Sequence, residues 1–72
     1  MTKWVDVQFS QGPIEGDVEE MERQAKYVNG FADIEVSDNY FCYGFEELQD
    51  AFDFMKVVEE KLQERVVFTY DF

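Results

Sequence analysis

The chain predicts an α+β fold with its elements in the order β-α-β-β-α-β. Three patterns carry the prediction: short stretches that alternate apolar and polar residues, two longer stretches whose apolar residues recur every three or four positions, and turn-forming residues between them. At 72 residues it reads as a single domain, 1–72. A domain of this size hides only about 60% of the surface its unfolded chain exposes, so the large side chains count heavily. Eight Phe, four Tyr and one Trp supply them.

Lys3 to Phe9 sets Val5, Val7 and Phe9 on one side and Trp4, Asp6 and Gln8 on the other, the mark of a half-buried strand. Gln11, Gly12, Pro13 and Gly16 break it. Asp17, followed three residues later by Glu20, resembles a capping box with Asp in the Ser/Thr place, and Val18, Met21, Ala25 and Val28 continue at helical spacing. Asn29 and Gly30 end this first helix, since both tolerate the left-handed conformation of a C-terminal cap. Phe31 to Val36 alternates again, with Ala32, Ile34 and Val36 against Phe31, Asp33 and Glu35. Asp38 and Asn39 read as a two-residue turn that places Ser37 opposite Tyr40, Val36 opposite Phe41 and Ile34 opposite Tyr43. Phe41, Tyr43 and Phe45 then point inward, and Tyr40, Cys42 and Gly44 outward.

The longest unbroken period runs from Phe45 to Val66. Leu48, Phe52, Met55, Val58 and Leu62 form one apolar stripe, and Glu46, Asp50, Asp53, Glu60 and Glu64 repeat on the opposite side with only Val57 interrupting. Val66 to Asp71 closes the chain as a strand with Val66, Phe68 and Tyr70 inward and Val67, Thr69 and Asp71 outward. This order is the split βαβ or ferredoxin-like pattern: a four-stranded antiparallel sheet with two helices on one face. Right-handed crossovers put the first and third strands in the middle. In an alternative arrangement the last strand pairs with a second copy, giving a homodimer.

Seventeen Asp and Glu against six Lys and Arg leave a net charge of -11. Solubility needs far less, roughly 2 to 8 charges for a small domain. The sign excludes direct binding to nucleic acid, which needs cations at the phosphates, and points to a basic protein surface as partner. Cys42 is alone, which suits a reducing compartment. The opening MTKWVDVQFS has no apolar run of signal-peptide length, and no segment reaches the ~18 apolar residues of a membrane span. A soluble, cytoplasmic protein without a membrane partner is therefore expected.

The residues do not assemble a reaction. There is no His, the commonest general base. Ser10 and Ser37 have no base in view, and Cys42 has no cationic neighbour in the sequence to activate it. Asp33, Glu35 and Asp38 partly match a calcium loop, but the turn glycine is missing and Gly44 stands where the closing glutamate belongs. No enzyme activity, metal or cofactor is expected.

Tyr40-Phe41-Cys42-Tyr43-Gly44-Phe45 on the third strand resembles, in topology and aromatic content, the signature strand of the RNA-recognition-motif family. The basic residue of that signature is absent, and Asp6, Asp33, Glu35 and Asp71 on the same open face would repel phosphates. Trp4, Tyr40, Val67 and Phe31 among those acids instead suggest a protein contact, or a face closed by a homodimer.

Successive acids of the long helix are about 4.5 to 6 Å apart along its axis, against ~3.4 Å per phosphate of a DNA strand. With Glu19 and Glu20 on the neighbouring helix they would form a broad acidic surface. In charge, size and architecture the chain resembles the DNA-mimic inhibitors of phages and mobile elements, including anti-CRISPR and anti-restriction proteins. That resemblance implies a protein whose Glu19, Glu20, Glu46, Asp50, Asp53, Glu60 and Glu64 fill the Lys/Arg groove of a nuclease or effector complex in the host cytoplasm, with Trp4 and Tyr40 as anchors. The alternative is a structural or assembly subunit, as a homodimer for instance, that uses its open sheet face or an edge strand.

Overall fold

The computed structural model describes residues 1–33 and 39–72. Its elements are β1 (Lys3–Phe9), α1 (Asp17–Tyr27), β2 (Phe31–Ala32), β3 (Tyr40–Phe45), α2 (Leu48–Leu62) and β4 (Val66–Thr69), with one turn of 3₁₀ helix, Gln63–Arg65, before the last strand. The strands form one antiparallel sheet in the order β2-β3-β1-β4. The α+β class, the ferredoxin-like order and the central places of β1 and β3 are as the pattern predicts. Both helices lie on the face that carries Val5, Val7, Phe9, Phe41, Tyr43 and Phe45, and these residues bury against Met21, Ala25, Ala51, Phe54, Met55, Val58 and Leu62. Among the described residues no helix is long and apolar enough to cross a membrane.

The first helix starts differently from its expected capping box. Gly16, at φ 92, is the N-cap residue, and no side chain caps the helix. Asp17 is instead drawn inside, where its Oδ2 accepts a hydrogen bond from the Ile14 N–H at 3.0 Å and pairs with Arg65 Nη1 at 2.6 Å. A buried carboxylate with a guanidinium in reach is held by that charge-assisted bond more strongly than by capping amides of its own helix. The other end follows the expectation. Asn29 adopts φ 63, its N–H donates to the Lys26 carbonyl at 3.2 Å, and the Gly30 N–H donates to that of Ala25 at 2.7 Å, the paired bonds of a Schellman cap. Gly30 is required for room, because a Cβ there would overlap the buried Phe45 ring.

The pairing of β2 with β3 departs from the expected register. Ala32, not Ile34, stands opposite Tyr43, and Phe31 stands opposite Gly44. A shift by two positions leaves every side chain on its expected face, since the strand period is two. It also lets the Phe31 ring lie over a residue with no side chain. The continuation of this strand through Val36, the pairings of Val36 and Ser37, and the turn at Asp38 lie outside the described residues.

Two further corrections concern the long helix and the last strand. Phe45 ends β3, and α2 begins at Leu48 after Glu47, whose extended backbone breaks from the strand. The buried side of α2 is Ala51, Phe54, Met55, Val58 and Leu62, whereas Leu48 and Phe52 remain 45% and 42% exposed. Small Ala51 lets the helix approach the sheet, and Phe54 fits between the rings of Tyr43 and Phe45, at centroid distances of 5.0 and 5.1 Å. Phe52 lies on the flank, where Tyr70 and Phe72 meet it edge-on at 6.3 and 5.7 Å. Tyr70 therefore lies beyond the end of β4 and stays half-exposed rather than turned inward.

Candidate functional site

Two surfaces carry the residues that the sequence singles out. The first is the outer side of the helical layer. A rotation of about 100° per residue sets Asp53 and Glu60 on the side of α2 away from its buried residues and Asp50 on its flank, with Asp50 and Asp53 half-buried and Glu60 exposed. Asp53 Oδ1 accepts a hydrogen bond from the Gln49 side chain at 2.9 Å. Glu46 precedes the helix and accepts a hydrogen bond from Thr2 Oγ1 at 2.9 Å, while Glu64 follows it, in the 3₁₀ turn. Gln63, at φ 54 between Leu62 and Glu64, ends the helical rotation, so Glu64 does not extend the line of Asp50, Asp53 and Glu60.

On α1, Glu19 is exposed and Glu20 is engaged with its own helix, bonded to Arg23 at 3.0 Å and to the Gln24 amide at 2.7 Å. The Gln24 hydrogen bond, aided by the charges of Arg23 and Lys61, holds the Glu20 carboxyl below its ordinary pKa. Four of the chain's six cations, Arg23, Lys26, Lys56 and Lys61, also stand on these helices. The helical layer is thus acidic with interspersed bases.

The second surface is the uncovered face of the sheet, and the register lays it out in rows. Trp4, Gly44 and Phe31 form one row across β1, β3 and β2. Asp6 and Cys42 form the next, with Thr69 beyond Asp6 on β4 and Asp33, whose N–H donates to the Cys42 carbonyl at 2.9 Å, on the other side. Gln8 and Tyr40 form the third, with Val67 beside Gln8. Because Gly44 has no side chain, the rings of Trp4 and Phe31 meet above it at 5.6 Å and nearly perpendicular, at 83°. A Cβ on residue 44 would lie 2.7 Å from the Phe31 ring. Both aromatics remain open to solvent, Trp4 at 39% and Phe31 at 44%. Tyr40 is half-buried and donates its hydroxyl to Asp6 Oδ2 at 2.8 Å. Among the described residues, no Lys or Arg belongs to these rows.

The electrostatics of this face register at Cys42 and Tyr40. Partial burial, then the Asp6 carboxylate and then the charge of Asp33 push the Cys42 thiol up to about 11. The hydrogen bond to Asp6 raises the Tyr40 hydroxyl in the same way. A thiol raised from 9.0 to about 11 has correspondingly less thiolate near neutrality. Alkylation of Cys42 by iodoacetamide near neutral pH is therefore expected to be roughly tenfold slower than that of an unperturbed thiol, the smaller thiolate fraction being partly offset by the greater nucleophilicity of a more basic thiolate. Asp6→Asn should speed it; equal rates in the two proteins would contradict this account of the field.

Among the described residues, no three or more His, Cys, Asp or Glu side chains are grouped to hold a metal ion. Sequence reasoning placed Trp4, Tyr40, Asp6 and Asp33 on one face but missed Gly44 as the gap over which two rings meet. A glycine inside an aromatic strand was the available signal. It also missed the exposed trio of Phe52, Tyr70 and Phe72, because Phe52 fits the apolar stripe. Comparison of the chain with protein-family models, curated proteins and solved structures yields no match.

Proposed function

We propose that this protein is a small acidic inhibitor that binds the basic groove of a DNA-targeting nuclease or effector complex and keeps nucleic acid out of it. The observation that carries the reading is the set of acids on the helical layer, Asp53 and Glu60 outward on α2 with Asp50 on its flank, Glu46 before it and Glu19 on α1, on a chain of net charge -11. A rigid helix presents these carboxylates at fixed spacing, so a cationic groove can accept them without first ordering a flexible segment. Glu20 contributes less, because Arg23 already pairs with it. Such a complex would form quickly and weaken steeply with salt, since its attraction is largely between solvent-exposed charges.

The test is a DNA-cleavage assay over a panel of restriction and RNA-guided nucleases at two salt concentrations. Inhibition of a susceptible enzyme at near-equal molar ratio is expected. Reversal of Glu46, Asp50, Asp53 and Glu60 to Lys should raise the inhibitor concentration required by roughly 100-fold, at about 0.7 kcal/mol for each residue changed. Inhibition untouched by the reversal would end the reading. A second reading, an assembly subunit or homodimer joined through the open sheet face, is favoured by the exposed Trp4 and Phe31 rings.

A further inference from the structure

We infer that the uncovered sheet face is a docking surface for an arginine-bearing segment of a partner protein, with the guanidinium lying against the Trp4–Phe31 pair and held by Asp6 and Asp33. This shares with the inhibitor reading only the basic character of the partner. It assigns the contact to the opposite side of the molecule.

The register supplies the geometry. Same-face neighbours along a strand are about 7 Å apart and adjacent strands about 4.8 Å apart. Asp6 and Asp33, on either side of Cys42, therefore flank a strip roughly 10 Å wide, one row from the two rings. An arginine whose planar head stacks on one ring can reach a carboxylate in the next row with its remaining N–H groups. Neither carboxylate is saturated. Asp6 accepts hydrogen bonds from the Tyr40 hydroxyl and the Cys42 thiol, and the two oxygens of a carboxylate accept about four. The edge-to-face arrangement of Trp4 and Phe31 leaves ring face available to a cation, and Gly44, with no side chain, gives the Phe31 ring its place over β3 beside Trp4.

Charge selects the occupant. The rows carry two carboxylates and, among the described residues, no base, whereas the helical layer holds Arg23, Lys26, Lys56 and Lys61. A second copy would bring the same two carboxylates against the first pair on a chain of net charge -11, and like charges facing each other oppose association. Nucleic acid is repelled for the same reason. A cationic segment is attracted, and the planar guanidinium suits a site built of rings and carboxylates better than a compact, strongly hydrated ammonium does.

Trp4 is the chain's single tryptophan, so its emission reports this face without interference. The experiment titrates the full chain with a short blocked Gly/Arg peptide and, separately, with its Gly/Lys counterpart at about 0.15 M salt, where the Debye length is about 8 Å. The Arg peptide should shift Trp4 emission and bind several-fold more tightly than the Lys peptide. The Asp6→Asn/Asp33→Asn variant should weaken it by roughly fivefold or more, the sum expected from two partly exposed ion pairs. Phe31→Leu, which leaves the reporter in place, should narrow the difference between Arg and Lys. A helix variant, Asp50→Asn/Asp53→Asn/Glu60→Gln, should weaken binding by less than about twofold, since its charges lie across the domain and are screened.

No emission change, equal binding of the two peptides, or a helix variant as damaging as the sheet variant would overturn the inference. So would sedimentation showing a homodimer that dissociates on Trp4→Ala, which would give the face to a second copy. If nuclease inhibition is lost on charge reversal of the helices while the Arg peptide leaves Trp4 unmoved, this inference fails and the inhibitor reading survives. The converse pair of results separates them the other way.

Discussion

Phe54→Ala is expected to destabilise the protein by about 4 kcal/mol, while Phe52→Ala, two positions earlier on the same helix, costs about 1. Phe54 is fully buried, and its ring touches those of Tyr43 and Phe45, which are themselves inaccessible. Truncation there removes the transfer energy of a phenyl ring and leaves a cavity that neighbouring aromatic rings cannot collapse to fill. Phe52 loses only partial contact with Tyr70 and Phe72, and water replaces it. A domain of 72 residues has a total stability of about 4 to 11 kcal/mol. Phe54→Ala should therefore remove from about a third to all of that stability, whereas Phe52→Ala leaves most of it. Urea titration followed by far-UV circular dichroism measures both, and comparable midpoints for the two variants would refute the packing described for α2.

Arg65→Ala is expected to cost about 2 kcal/mol, at least as much as Asp17→Ala, though the arginine is the more exposed partner. The asymmetry follows from burial. The Asp17 side chain is 8% accessible and that of Arg65 41%. Removing Arg65 strands a carboxylate in the protein with only the Ile14 N–H to serve it, whereas removing Asp17 releases a guanidinium that water can solvate. The pair also ties the start of α1 to the 3₁₀ turn before β4, elements far apart in sequence that no hairpin connects. Arg65→Lys should recover only part of the loss, because a lysine cannot reproduce the two bonds of 2.6 and 3.2 Å to separate carboxylate oxygens. The midpoint of urea unfolding is the measurement. A harmless Arg65→Ala would show that Asp17 is adequately served by the Ile14 N–H alone.

Most of the architecture is legible from period alone. Val5, Val7 and Phe9 alternate with Trp4, Asp6 and Gln8 strictly enough to set both faces of β1, and Asn29 before Gly30 marks the end of α1 one residue at a time. Where period is silent, packing between distant residues decides. In α2 the strongly apolar Leu48 and Phe52 outweighed Ala51, yet alanine is the residue that a close helix–sheet approach needs. At the start of α1 the spacing of Asp17 and Glu20 implied a local cap, but the partner that claims Asp17 is forty-eight residues away. For the candidate site, the acids were visible individually and their neighbours were not. Lys56 and Lys61 share the helices with the carboxylates, and Arg23 occupies Glu20.

The order of elements, the face each strand residue takes and the excess of negative charge were determined by the sequence itself, because side-chain alternation, helical spacing and formal charge are local properties of a chain. The register of β2 on β3, that Gly44 brings Trp4 and Phe31 together, and that Asp6 and Asp33 flank Cys42 without a base between them were decided only by the tertiary structure. Those relations join residues separated by tens of positions, and their energies depend on which rings and backbones meet once the sheet has closed.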